Sequence, residues 1–259
     1  MQKPLISLIV AVYKNVEALR LIFSSLEHQT YKNFEVIVAE DGYFSEITQL
    51  ITAEQEKGLF PIKHVWQEDC GFRKNKILNA AISLSSADYC TFIDGDCMLH
   101  KHFLRDISKH VCENVVLSGR RVMLSEKMTE KLYRNQRFRG SFSYLNLIFG
   151  KCKHAEEGLY LPFIPVRSRK NKGILGCNMT ISKKNLFAVN GFDEAYITPT
   201  VGEDVDIEWR LRMSGCEVKF MKFQSIVYHL HHDANYKDEI YFSNIQILRE
   251  KQRKNEWRN

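Results

Sequence analysis

The sequence has no apolar run long enough to cross a membrane as a helix, which takes about 20 residues. Its longest candidates are short: residues 5–13 contain a serine, and residues 142–149 are interrupted by Ser143 and Asn146. The first four residues lead directly into a strand-like segment, without the pattern of a cleavable signal peptide. We therefore expect a cytoplasmic protein without a membrane-spanning helix.

Cysteines at metal-binding or redox spacing are also missing. The seven cysteines lie at irregular intervals, and none forms a C-x-x-C motif. An odd, scattered set argues against a disulfide framework and against a zinc knuckle, and it suits a reducing compartment. We expect these thiols to pack as small apolar residues.

A glycine-rich phosphate loop is absent after the first predicted strand, where the sequence reads Val12-Tyr13-Lys14-Asn15. A nucleotidyltransferase, the alternative enzyme that pairs an α/β sheet with metal-binding carboxylates, would be expected to carry glycines there. Nucleic-acid binding would need aromatic and basic side chains on an ordered platform. The sequence favours neither class, and we expect no nucleic-acid partner.

Positive charge is present in excess and is unevenly spread. The net charge is +6, and residues 120–172 contain thirteen lysines and arginines against four acids. A field of this sign attracts phosphates, nucleic acid or an anionic membrane face. A solvated loop region explains the same composition, so both interpretations stay open.

Strand-like and helix-like segments alternate along the first half of the chain. Apolar periodicity predicts strands at 5–13, 34–39, 62–66, 89–93 and 115–118, and helices at 16–28, 45–57, 73–84 and 102–112. Further on it predicts strands at 176–181, 218–223 and 225–229, and helices at 183–189, 204–213 and 238–258. This alternation indicates an α/β fold with a mostly parallel sheet flanked by helices.

The segment 120–172 shows no clear period, and we expect one or two helices and a mobile loop there. Because the regular pattern resumes after it, we predict one domain at 1–235 with a basic insertion at 120–172. Its two halves are then 1–119 and 173–235. An amphipathic C-terminal helix at 236–259 completes the chain.

Acids or sharp turns follow three of the predicted strands, at residues 13–15, 40–42 and 94–96. Parallel sheets bind ligands beyond the carboxyl ends of their strands, so these turns should converge on one crevice. Asp94-Gly95-Asp96 offers two hard carboxylate ligands suited to Mg²⁺ or Mn²⁺. An acid-rich turn without metal is the alternative.

Two further segments of the first half suit a nucleotide. Asp41 could hold a base or a ribose, although an Asx turn before Gly42 explains it equally well. Residues 71–76 open a helix, where backbone N–H groups together with Arg73 and Lys76 would favour a diphosphate. An ordinary helix surface would use the same basic residues.

The second half contains an acid pair and a histidine cluster. Glu203 and Asp204 could supply a general base, although Asp204 could also cap the following helix. Residues 228–233 read Tyr-His-Leu-His-His-Asp after a short strand. His229 and His231 would share one face of that strand, so either could reach a metal.

Several ordered motifs together resemble family 2 of the glycosyltransferases, which has the GT-A fold. They are SLIVAVYKNVEALRLIFSSLEHQTYKNFEVIVAEDG and GFRKNKILNAAISLSSADYCTFIDGDC in the first half, and GILGCNMTISKKNLFAVNGFDE, GEDVDIEWRLRMSG and VYHLHH in the second. The second half is similar to the galactosyltransferase-type module of chondroitin-polymerase-like enzymes. The resemblance covers about residues 5–119 and 173–232.

The resemblance implies a role for individual residues on the donor side. It makes 1–119 the half that binds a nucleotide-sugar. The donor-binding positions would be Ala11, Tyr13, Asp41, Arg73, Lys76, Asp94, Gly176 and Asn178. The metal would be held by Asp96 and His229, with His231 as the alternative to His229, and Asp94 would approach it through a water molecule.

The resemblance also implies the reaction. Residues 173–235 would be the acceptor and catalytic half, with Asp204 as the general base and Glu203 bonded to a sugar. The enzyme would be an inverting, metal-dependent hexosyltransferase that takes a UDP-sugar donor. The family's tryptophan before the acid pair is missing, and Tyr196 is the candidate to replace it.

The partners follow from the same resemblance and from the charge. A glycan or a polyprenyl-diphosphate-linked acceptor in bacterial surface polysaccharide synthesis is expected. The basic stretch suggests peripheral contact with the anionic inner face of the plasma membrane. A non-catalytic protein that binds nucleotide-sugars or polyanions is the alternative outside the enzymes.

Overall fold

The computed structural model describes residues 5–168, 173–198, 202–233 and 238–258. The strands are β1 Ile6–Val12, β2 Phe34–Asp41, β3 Ile62–Gln67, β4 Tyr89–Asp94, β5 Cys97–Leu99, β6 Val115–Ser118, β7 Arg120–Met123, β8 Arg167–Ser168, β9 Met179–Ser182, β10 Glu217–Phe220 and β11 Ile226–His229. The helices are α1 Val16–Glu27, α2 Ser45–Glu56, α3 Lys74–Leu84, α4 Phe103–His110, α5 Glu126–Asn135, α6 Tyr144–Phe149, α7 Lys183–Ala188, α8 Glu203–Met213 and α9 Asp238–Lys254. None of the described helices combines the length and apolarity needed to cross a membrane.

Eight strands form the central sheet, in the order β3-β2-β1-β4-β9-β6-β10-β8. The first four run parallel, as the alternating pattern predicts. Strand β9 runs antiparallel to both of its neighbours, β4 and β6, so the other part of the sheet is mixed. The predicted α/β class is confirmed, and its parallel character is strongest at the end of the sheet that carries the first three strand turns.

Helices cover both faces of this sheet. One face packs against α1, α2 and α4, and the other packs against α3, α7 and α8. Strand β1 lies between the two layers, and six of its seven residues are buried. A strand that is buried on both faces needs apolar side chains at nearly every position, which explains an apolar run interrupted only by Ser7.

A second, three-stranded sheet in the order β5-β11-β7 stands beside the first. Its register places Cys97 opposite His229, and the Leu230 N–H donates to the Asp96 carbonyl at 2.9 Å. Strands more than 100 residues apart in sequence are thereby paired. The second sheet therefore brings the predicted metal turn and the histidine cluster together.

The basic segment is more regular than its sequence suggests. It contains β7, α5 and α6, and its apolar residues Val122, Leu132 and Leu147 pack into a common cluster with α1 and β11. The prediction of one or two helices is confirmed by α5 and α6, whereas the strands β7 and β8 of this segment were not predicted. The four-residue segment of β7 is too short and too basic to show a strand pattern, and it becomes a strand by pairing with β11. Residues 169–172 lie outside the described ranges.

The C-terminal helix is fastened to α8 by a buried lysine. Lys251 donates to Asp206 at 2.7 Å and to Asp193 at 2.6 Å, and only 8% of its surface is exposed. Asp206 also pairs with Arg210, one turn further along α8, at 2.6 Å. This ionic cluster supports α8, whose first turn carries Glu203 and Asp204.

Replacing Lys251 by methionine should destabilise the fold. The substitution leaves Asp193 without its cation, whereas Asp206 keeps Arg210. We therefore expect the free energy of unfolding to fall by about 2 kcal/mol. For a chain of this size, that lowers the melting temperature by about 4–8 °C. Thermal unfolding followed by circular dichroism measures the shift.

Lys254→Met is the matched control. Lys254 lies on the same helix but is exposed, and its ion pair with Glu256 is long, at 3.9 Å. Its melting temperature should stay close to that of the parent chain. Equal shifts in the two variants would contradict the inferred role of Lys251.

Candidate active site

The three predicted turns converge on one cavity, at the carboxyl ends of β1, β2 and β4. The cavity has a volume of about 720 Å³. Its lining includes Ala11, Tyr13, Asp41, Asp94, Asp96 and His229 of the predicted site residues. The strand order explains the convergence, because β1 lies between β2 and β4 in a parallel arrangement.

One end of the cavity has the character of a base-binding pocket. Tyr13 is half-exposed, and its ring meets Phe44 edge-to-face at 5.9 Å between centroids. The Asp41 carboxylate accepts the Arg73 backbone N–H at 2.8 Å and the Gln67 side-chain amide at 2.6 Å. These bonds hold Asp41 in one orientation at the cavity wall.

Asp41 does not form the Asx turn that the sequence allowed, because its two oxygens accept from Gln67 and Arg73. Glu40 accepts the Phe44 N–H at 2.7 Å, so its carboxylate and not that of Asp41 closes the turn over Gly42. Asp41 is 93% buried yet reaches the cavity. A carboxylate held in this way has capacity left to accept hydrogen bonds from a ligand.

The cations of the cavity are not the ones the sequence singled out. Lys76 is exposed on α3, and the Arg73 guanidinium donates to the Glu68 carbonyl; neither belongs to the described lining of the cavity. Lys74 and Arg121 line it instead. Because α3 begins at Lys74, the first residue of the helix faces the cavity and the third faces solvent.

Lys74 connects the two groups of acids. Its ammonium lies 2.7 Å from Asp94 Oδ1 and 3.6 Å from Glu203 Oε1. Burial opposes its charge, but the Asp94 and Glu203 carboxylates outweigh burial and raise the pKa of Lys74. A permanently charged amine therefore stands between the metal turn and the acid pair.

Two residues of the histidine cluster lie beside the Asp96 carboxylate. Asp96 Oδ2 lies 3.4 Å from His229 Nε2 and 3.3 Å from His232 Nε2. His231 is exposed at the cavity rim, and its backbone N–H donates to Thr129 Oγ1 at 2.9 Å. Of the two residues weighed from the sequence, the structure pairs His229 with Asp96, and it adds His232, which the sequence reasoning missed.

The protonation of His229 suits a metal ligand. Its Nδ1 lies 2.8 Å from the Leu230 carbonyl, which can only accept, so Nδ1 carries the proton and the Nε2 lone pair faces Asp96. Burial lowers the pKa of His229, which favours this neutral form. The hydrogen bond with Asp96 instead raises the pKa of His232 to about 9.

The geometry around Asp96 fits a divalent ion. Two ligand atoms at about 2.1 Å from an octahedral ion lie about 3 Å apart, close to the separation of the Asp96 and His229 atoms. Cys97 is the third group within 4.8 Å, but burial raises the pKa of its thiol, which keeps it protonated. Asp94 is directed toward Lys74, so Asp96 and His229 are the pair best placed to bind the ion.

Glu203 and Asp204 form the first turn of α8, after Gly202 as its N-cap. Asp204 does not cap the helix, because its Oδ1 accepts the neighbouring Val205 N–H at 2.9 Å. Burial raises the pKa of both carboxyls, and for Glu203 the charge of Asp204 adds to this effect. Raised pKa values bring carboxylates closer to the range of a general base.

Gly176 and Asn178 differ in their access to the site. A Cβ placed on Gly176 would lie 3.7 Å from Asp204 Cβ and 3.8 Å from Glu203 Oε1, so Gly176 borders the acid pair. Asn178 is buried and donates to the carbonyls of Arg120 at 2.9 Å and Ser225 at 2.8 Å. Asn178 therefore ties the strands beneath the site together.

Tyr196 does not offer the aromatic surface that the sequence suggested. It is 1% exposed, and its hydroxyl donates to Asp206 at 3.3 Å. Its ring lies where a side chain at Gly202 would be, 2.7 Å from the position of a Cβ. Tyr196 therefore packs under the acid pair, and the expectation that it replaces the missing tryptophan is wrong.

Comparison with known families matches nearly the whole described chain. The model of glycosyl transferase family 2 matches residues 7–174. A model described as the N-terminal domain of galactosyltransferase matches residues 166–233. The first match extends through the basic segment, and the second begins at residue 166.

Curated relatives share these segments at low identity. The chondroitin synthase of Pasteurella multocida is 24% identical over 233 residues, which is 82% of this chain and 23% of that protein. The amylovoran biosynthesis glycosyltransferase AmsB of Erwinia amylovora is 22% identical over 207 residues, which is 74% of this chain and 59% of that protein. The chain spans between 15% and 59% of the length of the curated relatives that it matches.

Solved structures share the fold. TarS 1-349 of S. aureus in complex with UDP-GlcNAc has a TM-score of 0.64 and 16% identity, covering 94% of this chain and 65% of the other. The mannosyltransferase PcManGT from Pyrobaculum calidifontis, in complex with GDP-Man and Mn²⁺, has a TM-score of 0.63 and 13% identity, covering 95% and 63%. These similarities confirm the GT-A architecture.

Proposed function

This chain belongs to family 2 of the glycosyltransferases, and we propose that it transfers a hexose or an N-acetylhexosamine from a UDP-sugar to a hydroxyl of a glycan or lipid-linked acceptor. The supporting observation is the continuity of the site through Lys74. Its ammonium contacts Asp94 at the nucleotide end and Glu203 at the acceptor end. A sugar bound between these ends would have a base on one side and a leaving diphosphate on the other.

Asp204 is the group best placed to act as the general base. An acceptor hydroxyl is a poor nucleophile, and it gains reactivity when a carboxylate takes its proton as the new bond forms. Glu203 is engaged by Lys74, whereas Asp204 makes no ion pair within 4 Å in the described part of the chain. Attack from the face opposite the diphosphate inverts the anomeric carbon and needs no covalent intermediate.

The departing diphosphate gains negative charge, which Lys74 and Arg121 can stabilise from fixed positions in the cavity wall. Burial opposes the charge of Arg121, but its hydrogen bond to Cys177 Sγ and the nearby Asp94 carboxylate outweigh burial and raise the pKa of Arg121. Asp96 and His229 would hold Mn²⁺ or Mg²⁺, which supplies further positive charge to the phosphate oxygens.

UDP is the proposed nucleotide, in line with the TarS complex with UDP-GlcNAc, although the same fold holds GDP-Man in PcManGT, and the donor assay decides between the two. A role in bacterial surface polysaccharide synthesis is supported by the similarity to the amylovoran biosynthesis enzyme. A glycan or a polyprenyl-diphosphate-linked glycan would then be the acceptor, and the enzyme would act at the cytoplasmic face of the membrane.

Donor hydrolysis with the purified protein tests this proposal. UDP-, GDP- and dTDP-sugars are each incubated with Mn²⁺ or with EDTA, and the released nucleotide is measured. We expect metal-dependent release from a UDP-sugar, with EDTA removing the activity. Calorimetric titration of UDP accompanies the assay, since a transferase that waits for its acceptor still binds nucleotide. The absence of both turnover and nucleotide binding would contradict the proposal.

A further inference from the structure

Helix α6 exposes an apolar face to solvent. Leu145, Ile148 and Phe149 occupy positions i, i+3 and i+4 and are 61%, 45% and 80% exposed, whereas Leu147 on the other side is fully buried. We infer that this face, called here the α6 face, binds the surface of an anionic lipid bilayer. Three large apolar side chains grouped on one short helix differ from the singly scattered ones that any surface carries.

Basic residues lie on the helix beside α6 and on the segments that flank it in sequence. Met128 of α5 packs under its C-terminal end, 3.3 Å from Cys152 between the two sulfur atoms, which places α5 beside α6. Exposed basic residues stand on α5 and on the segments that flank α6: Lys127, Lys131, Arg134, Arg137, Arg139, Lys151 and Lys153. Within the described ranges, none of these seven makes an ion pair within 4 Å, although Glu126, Glu130, Glu156 and Glu157 belong to the same segment. The positive charge of the seven basic residues is therefore available to an anionic partner.

The combination of groups indicates a bilayer as the partner. Cations alone would fit any polyanion, including a soluble charged glycan. Phenylalanine and leucine side chains gain free energy only where they leave water, as they do at the boundary between lipid headgroups and acyl chains. A surface that carries both kinds of side chain matches an anionic bilayer better than a soluble polyanion.

The position of α5 relates this surface to the active site. Tyr133 of α5 lines the cavity, and its hydroxyl accepts the Asn15 side-chain amide at 3.5 Å. One helix therefore connects the cavity rim with the α6 face. For the lipid-linked acceptor of the proposed function, on which this last step rests, contact at α6 would bring the lipid surface alongside the cavity.

Vesicle cosedimentation with the full chain tests the inference. Vesicles of phosphatidylcholine are compared with vesicles that also contain phosphatidylglycerol, at low and high salt. We expect binding to the anionic vesicles at low salt only, since the contribution of the lysines and arginines is screened by salt. Replacing Leu145, Ile148 and Phe149 together by serine should weaken this binding by at least about tenfold.

Two controls make the result specific. Phe187→Ser removes an exposed phenylalanine near Lys183 on α7, which packs on the opposite face of the sheet, and it should bind vesicles as the parent chain does. Binding to long-chain polyphosphate should be unchanged in the triple variant, because its cations remain. If the triple variant loses its folded melting transition, the single Phe149→Ser variant replaces it.

The inference is overturned if the parent chain does not bind anionic vesicles, or if the α6 variant binds them as tightly as the parent. The second result, with polyphosphate binding intact, would assign the basic surface to a soluble polyanion. Donor hydrolysis is assayed separately without lipid, and the α6 variant should retain it. Lost vesicle binding with intact turnover therefore bears on the membrane contact alone, and lost turnover in the parent chain bears on the proposed function.

Discussion

Replacing Asp204 by asparagine should reduce sugar transfer by about 10²–10⁴-fold. Asparagine keeps the shape of the side chain and can still accept the Val205 N–H, but it cannot take a proton from the acceptor. Donor binding should change little, because Asp204 does not belong to the described lining of the nucleotide cavity. Turnover with acceptor, together with UDP affinity by calorimetry, separates the two effects.

The pH dependence provides a second readout for the same residue. Burial raises the pKa of Asp204, and the base must be ionised, so the rate should fall with acid at a pH above the ordinary aspartate value of about 3.9. The residual activity of Asp204→Asn should lack this limb. Glu56→Gln, an exposed acid on α2, is the control that should keep both rate and limb. An unchanged rate in Asp204→Asn would contradict the assignment of Asp204 as the general base.

The melting temperature of Asp204→Asn shows whether a loss of activity comes from the missing base or from unfolding. A carboxyl whose pKa is raised by folding favours the protonated state, so its stabilising contribution is full below the unfolded pKa and is lost as pH rises through the folded pKa. At neutral pH the ionised Asp204 is therefore unfavourable, and Asp204→Asn should melt at the same temperature as the parent chain or higher. The gain should disappear as the pH falls toward about 4.

Replacing Asp96 by asparagine or His229 by alanine should remove metal-dependent activity. A bound metal contributes several kcal/mol to charge stabilisation, so we expect losses of about 10²-fold or more at a fixed Mn²⁺ concentration. Excess Mn²⁺ should restore part of the rate if a single ligand is missing. The Mn²⁺ concentration for half-maximal turnover measures the effect.

His231→Ala is the matched control, since His231 stands two residues from His229 but does not pair with Asp96. It should leave the Mn²⁺ requirement nearly unchanged. A large loss in His231→Ala with normal activity in His229→Ala would reverse the assignment. His232→Ala would show whether its interaction with Asp96 at 3.3 Å aids or competes with the metal.

The sequence by itself determined the α/β class and most elements of the first 118 residues. Strands buried on both faces are nearly continuous apolar runs, and the helices between them keep a regular apolar period, so both patterns are visible locally. It also determined that the turns at Tyr13, Asp41 and Asp94 would meet. Neighbouring parallel strands carry their carboxyl ends to one edge of a sheet whatever their side chains are.

Only the tertiary structure decided which side chains face the cavity. The pairing of β11 with β5 places His229, and not His231, beside Asp96. This pairing sets residue 229 opposite residue 97 and cannot be predicted from either strand alone. Arg121 entered the site through a strand whose own sequence is basic and irregular. The choice of Lys74 over Lys76 depended on where α3 begins, a boundary that periodicity leaves uncertain by a residue or two.

The dependence on long-range contacts also explains why two residues expected at the site, Asn178 and Tyr196, are buried instead. Asn178 and Tyr196 have the polarity of ligand-binding residues, yet their hydrogen bonds reach groups far away in sequence or on another element. A polar side chain can satisfy its hydrogen bonds inside the protein or with a ligand, and its residue type alone does not distinguish these outcomes. The sequence determined which chemistry could be assembled at the edge of the sheet, and long-range packing decided which residues supply it.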